Sequence, residues 1–269
     1  APARPDRGAA GPRCGGTTVR PDHGAAGPRA PPVACALMHV EAVLLDAGGV
    51  LTLPDPDLVR SVLAPLGLQP HDETLDHVHD VAIRAYDEWV AAGHGADVPR
   101  REIFLDAYVR AAGVPPERVN AAVDALRTAF QPANNPWARV RPGSVAGLGE
   151  ICATGARVAV VSNAYGSVER ELLELGVCQV GPGDAAQVAA VIDSHAVGIA
   201  KPDPGIFALA LDAVGAQPQH AVHVGDSVWA DVDGARAAGV RPIHFDPHGL
   251  CGLADHAHVG SLSAVPDLV

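Results

Sequence analysis

The chain has 269 residues, 48% of them hydrophobic, and a formal charge of −12. That length holds a core large enough to fold without disulfide or metal staples. The acidic balance disfavours a nucleic-acid partner, because a phosphate backbone wants a basic face, but it does not exclude a small anionic substrate.

The cysteines are Cys14, Cys35, Cys152, Cys178 and Cys251, an odd number with no C-x-x-C pair. This predicts free thiols in a reducing compartment. No apolar run is long enough to span a membrane, and the start lacks the apolar segment of a secretory signal. The expectation is a cytoplasmic protein with no membrane partner.

Residues 1–38 read as a disordered leader. They are rich in Gly, Pro, Ala and Arg and contain a near-repeat, RPDRGAAGPR from Arg4 and RPDHGAAGPR from Arg20. Such a segment buries too little surface to offset its ordering entropy. The only methionine, Met38, directly precedes the first strand-like run. Two readings stand: Met38 is the translation start, or the leader is a native unstructured tail.

From His39, HVEAVLLD reads as a short buried strand ending at Asp46 in a glycine turn. Residues 57–130 read as helices. In DETLDHVHDVAIRAYDEWVAAG the residues Leu75, Val78, Ala82, Tyr86 and Trp89 recur at three- and four-residue steps and share a face. PRREIFLDAYVRAAG and PERVNAAVDALRTAF repeat the habit, each with proline at its start. Gly93 and Gly113 are the expected stops. After RPGS at residues 141–144, strands and helices alternate. ARVAVVSN, VAAVIDS, HAVHVGDS and RPIHFD are the strands; VERELLELG, DPGIFALALDAVG and WADVDGARAAG are the helices. This order predicts an α/β fold, a Rossmann-like parallel sheet with helices on both faces. The core takes residues 39–56 and 141–269, and a helical cap is inserted over residues 57–140.

Ligands in an open parallel sheet bind at the carboxyl ends of the strands. Four polar groups fall there: Asp46, Ser162 with Asn163, Lys201, and Asp226 followed by Asp231. Each alone has an ordinary explanation as a cap, a turn or a surface residue. Taken in this order, LLDAGGVL, VVSNA, GIAKPDPGIF and VGDSVWADVDGARAAG, they resemble the haloacid dehalogenase-like (HAD) hydrolase superfamily, across roughly residues 39–246.

The resemblance implies a fold and a set of roles. Asp46 is the nucleophile that forms an aspartyl-phosphate. Asp46, Asp226 and Asp231, with the Gly48 carbonyl, hold Mg²⁺. Ser162 and Asn163 bind a phosphoryl oxygen. Lys201 neutralises the same group and keeps Asp46 ionised. The implied partner is a small phosphorylated metabolite. One position departs from the family's phosphatases. Two residues after the nucleophile they carry a second Asp, which performs acid–base work worth about 10²–10⁴-fold. Here it is Gly48.

Three readings follow: a Mg²⁺-dependent phosphatase that is slow or takes its acid elsewhere, a haloacid dehalogenase-type carbon–halogen hydrolase, or a catalytically weakened binding protein. Asp55 and Asp57 are nearby acids, and His77 and His79 could reach in from the cap. A solvated helix face is the favoured reading of those histidines. Arg84, Tyr86 and Trp89 share one cap helix, where the two aromatics read as packing residues. Cys251, His256 and His258 match no trusted zinc spacing and read as a solvated tail.

Overall fold

The computed structural model describes residues 39–94 and 100–269. The candidate leader, with Cys14, Cys35 and Met38, lies outside the described residues. Strand β1 (Ala42–Leu45) is apolar at every position and fully buried. Val43 and Leu45 enter one hydrophobic cluster, while Ala42 and Leu44 enter another. Both faces are therefore covered, as in a central parallel strand. A tight turn leads to β2 (Thr52–Leu53).

Among the described residues the α-helices α1 (Pro56–Leu63), α2 (Asp72–Ala91), α3 (Arg100–Ala111) and α4 (Val119–Ala129) follow. Asp55 caps α1 by accepting from the Asp57 N–H at 2.9 Å, and Asp57 pairs with Arg60. Gly93 and Gly113 both adopt positive φ just past a helix end, as expected. The expected stripe of α2 is buried at Leu75, Val78, Ala82 and Tyr86, and Trp89 is half-buried. The helices share a core of their own that includes Val59, Leu75, Leu105, Tyr108 and Leu126. The chain returns through β3 (Arg139–Val140), which pairs antiparallel with β2. This two-residue ribbon joins the helical insertion to the end of β1.

The remainder alternates, with α5 (Ser144–Ala153), β4 (Arg157–Ser162), α6 (Val168–Glu174), β5 (Cys178–Val180), β6 (Ala186–Val188), β7 (Ala190–Asp193), α7 (Ser194–Val197), α8 (Pro204–Val214), β8 (Ala221–Gly225), α9 (Gly234–Ala237), β9 (Arg241–Phe245) and β10 (Ala257–Val259). A π-helical turn over Val228–Asp233 precedes α9. The main sheet has six parallel strands in the order β10-β9-β8-β1-β4-β7. One face packs on α8, through Ile206, Phe207 and Ala210. The other packs on α5 and the C-terminal turn, through Leu148, Ile151, Leu262 and Val265.

The structure differs from the sequence reading in two places. The single strand expected over residues 188–194 is two, because the Ala189 N–H bonds to the Val158 carbonyl and the chain changes sheets there. The C-terminus is not a solvated tail. β10 extends the sheet beyond β9, and the His256 side chain is fully buried. No helix among the described residues is long and apolar enough to cross a membrane.

Candidate active site

Sequential strands run outward from β1 in both directions, so the sheet has its switch point at the β1 carboxyl end, where such folds bind ligands. Asp46 follows β1, Ser162 ends β4, and Asp226 follows β8. Lys201 precedes α8, whose cap is Asp203. All four line one cavity of about 270 Å³, roofed by α3 and by Trp137.

The charged groups are buried and tightly linked. Lys201 Nζ lies 2.8 Å from Asp46 Oδ1 and 2.6 Å from Asp231 Oδ1. Asp231 Oδ1 also accepts from His223 Nε2 at 2.8 Å, and its Oδ2 accepts from the Ser227 N–H at 3.1 Å. Asp231 is thus held on both oxygens by protein groups. Burial pushes its carboxyl up, but Lys201 and His223 outweigh that and hold it well below the usual range. Asp46 and Asp226 go the other way. Burial, aided by the neighbouring acids, raises them to about 6 and about 7. Lys201 is kept protonated because Asp231 and Asp46 overcome its desolvation.

Oxygens of Asp46, Asp226 and Asp231 all lie within 4.8 Å of one another. One ammonium cannot balance three carboxylates in so small a space. The oxygen donor set and the residual negative charge fit a hard divalent cation. The geometry favours Asp46 and Asp226 as its direct partners, with Asp231 anchoring Lys201.

Asn163 also has a structural role. Its amide accepts from the Lys201 N–H at 2.8 Å and donates to the Lys201 carbonyl at 3.0 Å. It fixes the backbone of Lys201, and both Ser162 and Asn163 line the cavity. Asp193, at the end of β7, accepts from the Gly166 and His195 N–H groups at 2.8 and 2.9 Å and holds the loop after Ser162.

The helical insertion supplies two partners of the site, His79, which the sequence placed on a solvated face, and Asp87, which it did not single out. His79 is fully buried, and its Nε2 lies 3.1 Å from Asp226 Oδ2. Burial lowers its pKa to about 4, so the neutral ring donates to the carboxylate. The solvated face expected for His79 is therefore wrong, although His77 is exposed. Asp87 accepts from Ser227 Oγ, the Val228 N–H and the Trp229 N–H at 2.7, 2.7 and 3.1 Å. It caps the turn that carries Asp231. Gly49 makes the His79 contact possible. Its φ is +78°, and a β-carbon there would stand 1.8 Å from Asp226 Oδ2 and 2.8 Å from His79 Nε2. Asp55 and Asp57 do not line the cavity.

Fold and site together define a hydrolase built on a Rossmann-like parallel sheet. The chain belongs to the haloacid dehalogenase-like hydrolase family, whose model matches residues 40–239. It is 31% identical over 232 residues to the phosphoglycolate phosphatase of Rhodospirillum rubrum, covering 84% of this chain and 87% of that enzyme. It is 37% identical over 147 residues to the phosphoserine phosphatase of Thermus thermophilus, a match that takes in 55% of this chain and about half, 54%, of that enzyme. Among solved structures, the HAD phosphatase from Thermococcus onnurineus superposes with a TM-score of 0.51 at 18% identity, over 85% of this chain and 97% of that one. The L-2-haloacid dehalogenase RSc1362 superposes with a TM-score of 0.50 at 19% identity, over 85% and 98%. These two likenesses establish the fold alone.

Proposed function

We propose that the protein is a Mg²⁺-dependent phosphatase acting on a small phosphorylated metabolite through an aspartyl-phosphate at Asp46. The observation that carries this reading is the contact of Lys201 with both Asp46 and Asp231, beside an Asp226 that pairs with no Lys or Arg among the described residues. Mg²⁺ held by Asp46 and Asp226 would polarise the phosphoryl group and keep both acids ionised. A dehalogenase needs no such third acid. The similarity to phosphoglycolate and phosphoserine phosphatases supports the same substrate class.

Asp46 attacks phosphorus while Lys201 neutralises charge on the phosphoryl oxygens. The Ser162 hydroxyl donates to one of them. The leaving oxygen takes its proton from water or from the substrate itself, because Gly48 offers no acid. Water then cleaves the acyl-phosphate and regenerates Asp46. Arg100 lines the same cavity and makes no ion pair among the described residues. It is the group placed to meet a second anion on the substrate, such as a carboxylate.

The test is a screen of phosphorylated metabolites and 2-haloacids with and without Mg²⁺, run on wild type and Asp46→Asn. Metal-dependent phosphate release, abolished in a folded Asp46→Asn, is the expected result. Metal-independent halide release would establish the dehalogenase reading, and silence on both substrate sets would leave a binding protein.

A further inference from the structure

The outer edge of the sheet gathers four soft metal donors, downstream of the last catalytic motif. His244 on β9 and His258 on β10 are register partners across the parallel pair. Cys251 lies in the connecting loop, and His256 stands just before β10. One donor atom from each of the four lies within 4.8 Å of the others. His244 Nδ1 is 3.3 Å from His256 Nε2, and Cys251 Sγ is 3.8 Å from the same nitrogen. A tetrahedral zinc ion with ordinary bond lengths has N–N edges of about 3.3 Å and N–S edges of about 3.6 Å.

The rings are oriented as ligands. His244 Nε2 is 3.0 Å from the Asp226 carbonyl oxygen, which only accepts. That nitrogen therefore carries the hydrogen, and Nδ1 turns a lone pair to the cluster. His256 Nδ1 is 2.7 Å from Asp255 Oδ1, so its Nε2 does the same. With both rings neutral, as metal ligation requires, the two lone pairs converge on the same space. The outer partners are those that fix metal-bound histidines: a backbone carbonyl for one ring and a carboxylate for the other. Arg236 holds that carboxylate, with Nη2 at 2.8 and 2.9 Å from the Asp255 carbonyl and Oδ2. The loop is equally fixed. Asp246 accepts from the Leu250 and Cys251 N–H groups at 2.8 and 2.9 Å, and Arg84 of α2 donates to the Leu250 carbonyl at 2.6 Å.

We propose that His244, Cys251, His256 and His258 form a zinc site distinct from the carboxylate cavity. Four protein donors close the tetrahedron, so the ion is structural. It clips β10 and its loop to β9. Zn²⁺ binding replaces the Cys251 S–H bond with a Zn–thiolate bond and releases the proton to solvent. The soft sulfur and imidazole donors select Zn²⁺ over Mg²⁺. Through His244 the ion also steadies the main chain at Asp226.

The test uses the tag-free full chain, stripped with a chelator and then held in excess Mg²⁺, which occupies the carboxylate site. One equivalent of Co²⁺ should give tetrahedral visible bands and a thiolate-to-cobalt charge-transfer band, both abolished by one equivalent of Zn²⁺. Cys251→Ser should lose the charge-transfer band. His258→Ala, at an exposed ring, should weaken zinc binding by at least about 100-fold, and Asp255→Asn by about 10–100-fold. Absence of these bands in wild type, their persistence in Cys251→Ser, or unchanged zinc affinity in His258→Ala would each overturn the proposal.

Discussion

The ring of Trp137 lies against Gly48: a β-carbon placed on Gly48 would sit 3.5 Å from Trp137 Cζ3. That is ordinary contact for one carbon. A carboxylate beyond it would run into the indole. Gly48 has no positive φ, so the obstacle is space and not backbone strain. Gly48→Asp alone should therefore give little gain on an unactivated phosphate monoester. Combined with Trp137→Ala, which opens the space, it should raise kcat/KM by about 10-fold or more, toward the ~10²-fold lower end for a positioned acid–base group. The gain should be smaller on an ester with a good leaving group. If the single variant matches the double, Trp137 is not what bars an acid from this position.

Lys201→Ala should cut kcat by about 10²–10³-fold, the usual loss for one electrostatic contact to a developing charge. A second effect separates this role from mere packing. Lys201 holds the Asp46 carboxyl down against burial. Without it Asp46 stays protonated to higher pH, so the acid limb of the kcat/KM profile should move upward. A pH profile that keeps its acid limb in the variant would remove Lys201 from the control of Asp46.

Arg100→Ala tests the substrate class. KM should rise about 10-fold or more for phosphoesters carrying a carboxylate, since a charged hydrogen bond is worth about 1.5–3 kcal/mol. It should change little for a neutral alkyl phosphate. Equal losses on both would show that Arg100 shapes the cavity without reading a second anion.

The strand ends were legible because a parallel sheet puts its chemistry there, and Asp46, Ser162, Lys201 and Asp226 do meet in one cavity. Their partners were not. His79 and Asp226 are 147 residues apart, and no local spacing encodes that contact. A signal existed all the same. His79 stands four residues after Leu75 and three before Ala82, inside the apolar stripe of α2. A polar residue in a buried stripe needs a partner. The strand β10 escaped notice because three residues show no periodicity, and the donor cluster depends on the register that this strand sets.

Asp87 gives a prediction whose sign follows from burial. Desolvation raises its carboxyl to about 6, against the pull of its bonds to Ser227, Val228 and Trp229. In the unfolded chain an aspartate titrates near 3.9. The folded state therefore binds this proton more tightly. The resulting stabilisation is full below about pH 4, is lost as pH rises through about 6, and changes no further above that. A difference of two pKa units is worth about 3 kcal/mol. Asp87→Asn keeps an amide oxygen that can accept from the Val228 or Trp229 N–H, but it cannot titrate. The stability of wild type relative to the variant should thus fall by about 2–3 kcal/mol between about pH 4 and pH 7. Urea unfolding of both proteins at each pH measures it, and the subtraction cancels the titrations they share. A wild-type-minus-variant difference that is flat across this range would mean that Asp87 stays ionised throughout, and that its three hydrogen bonds outweigh its burial.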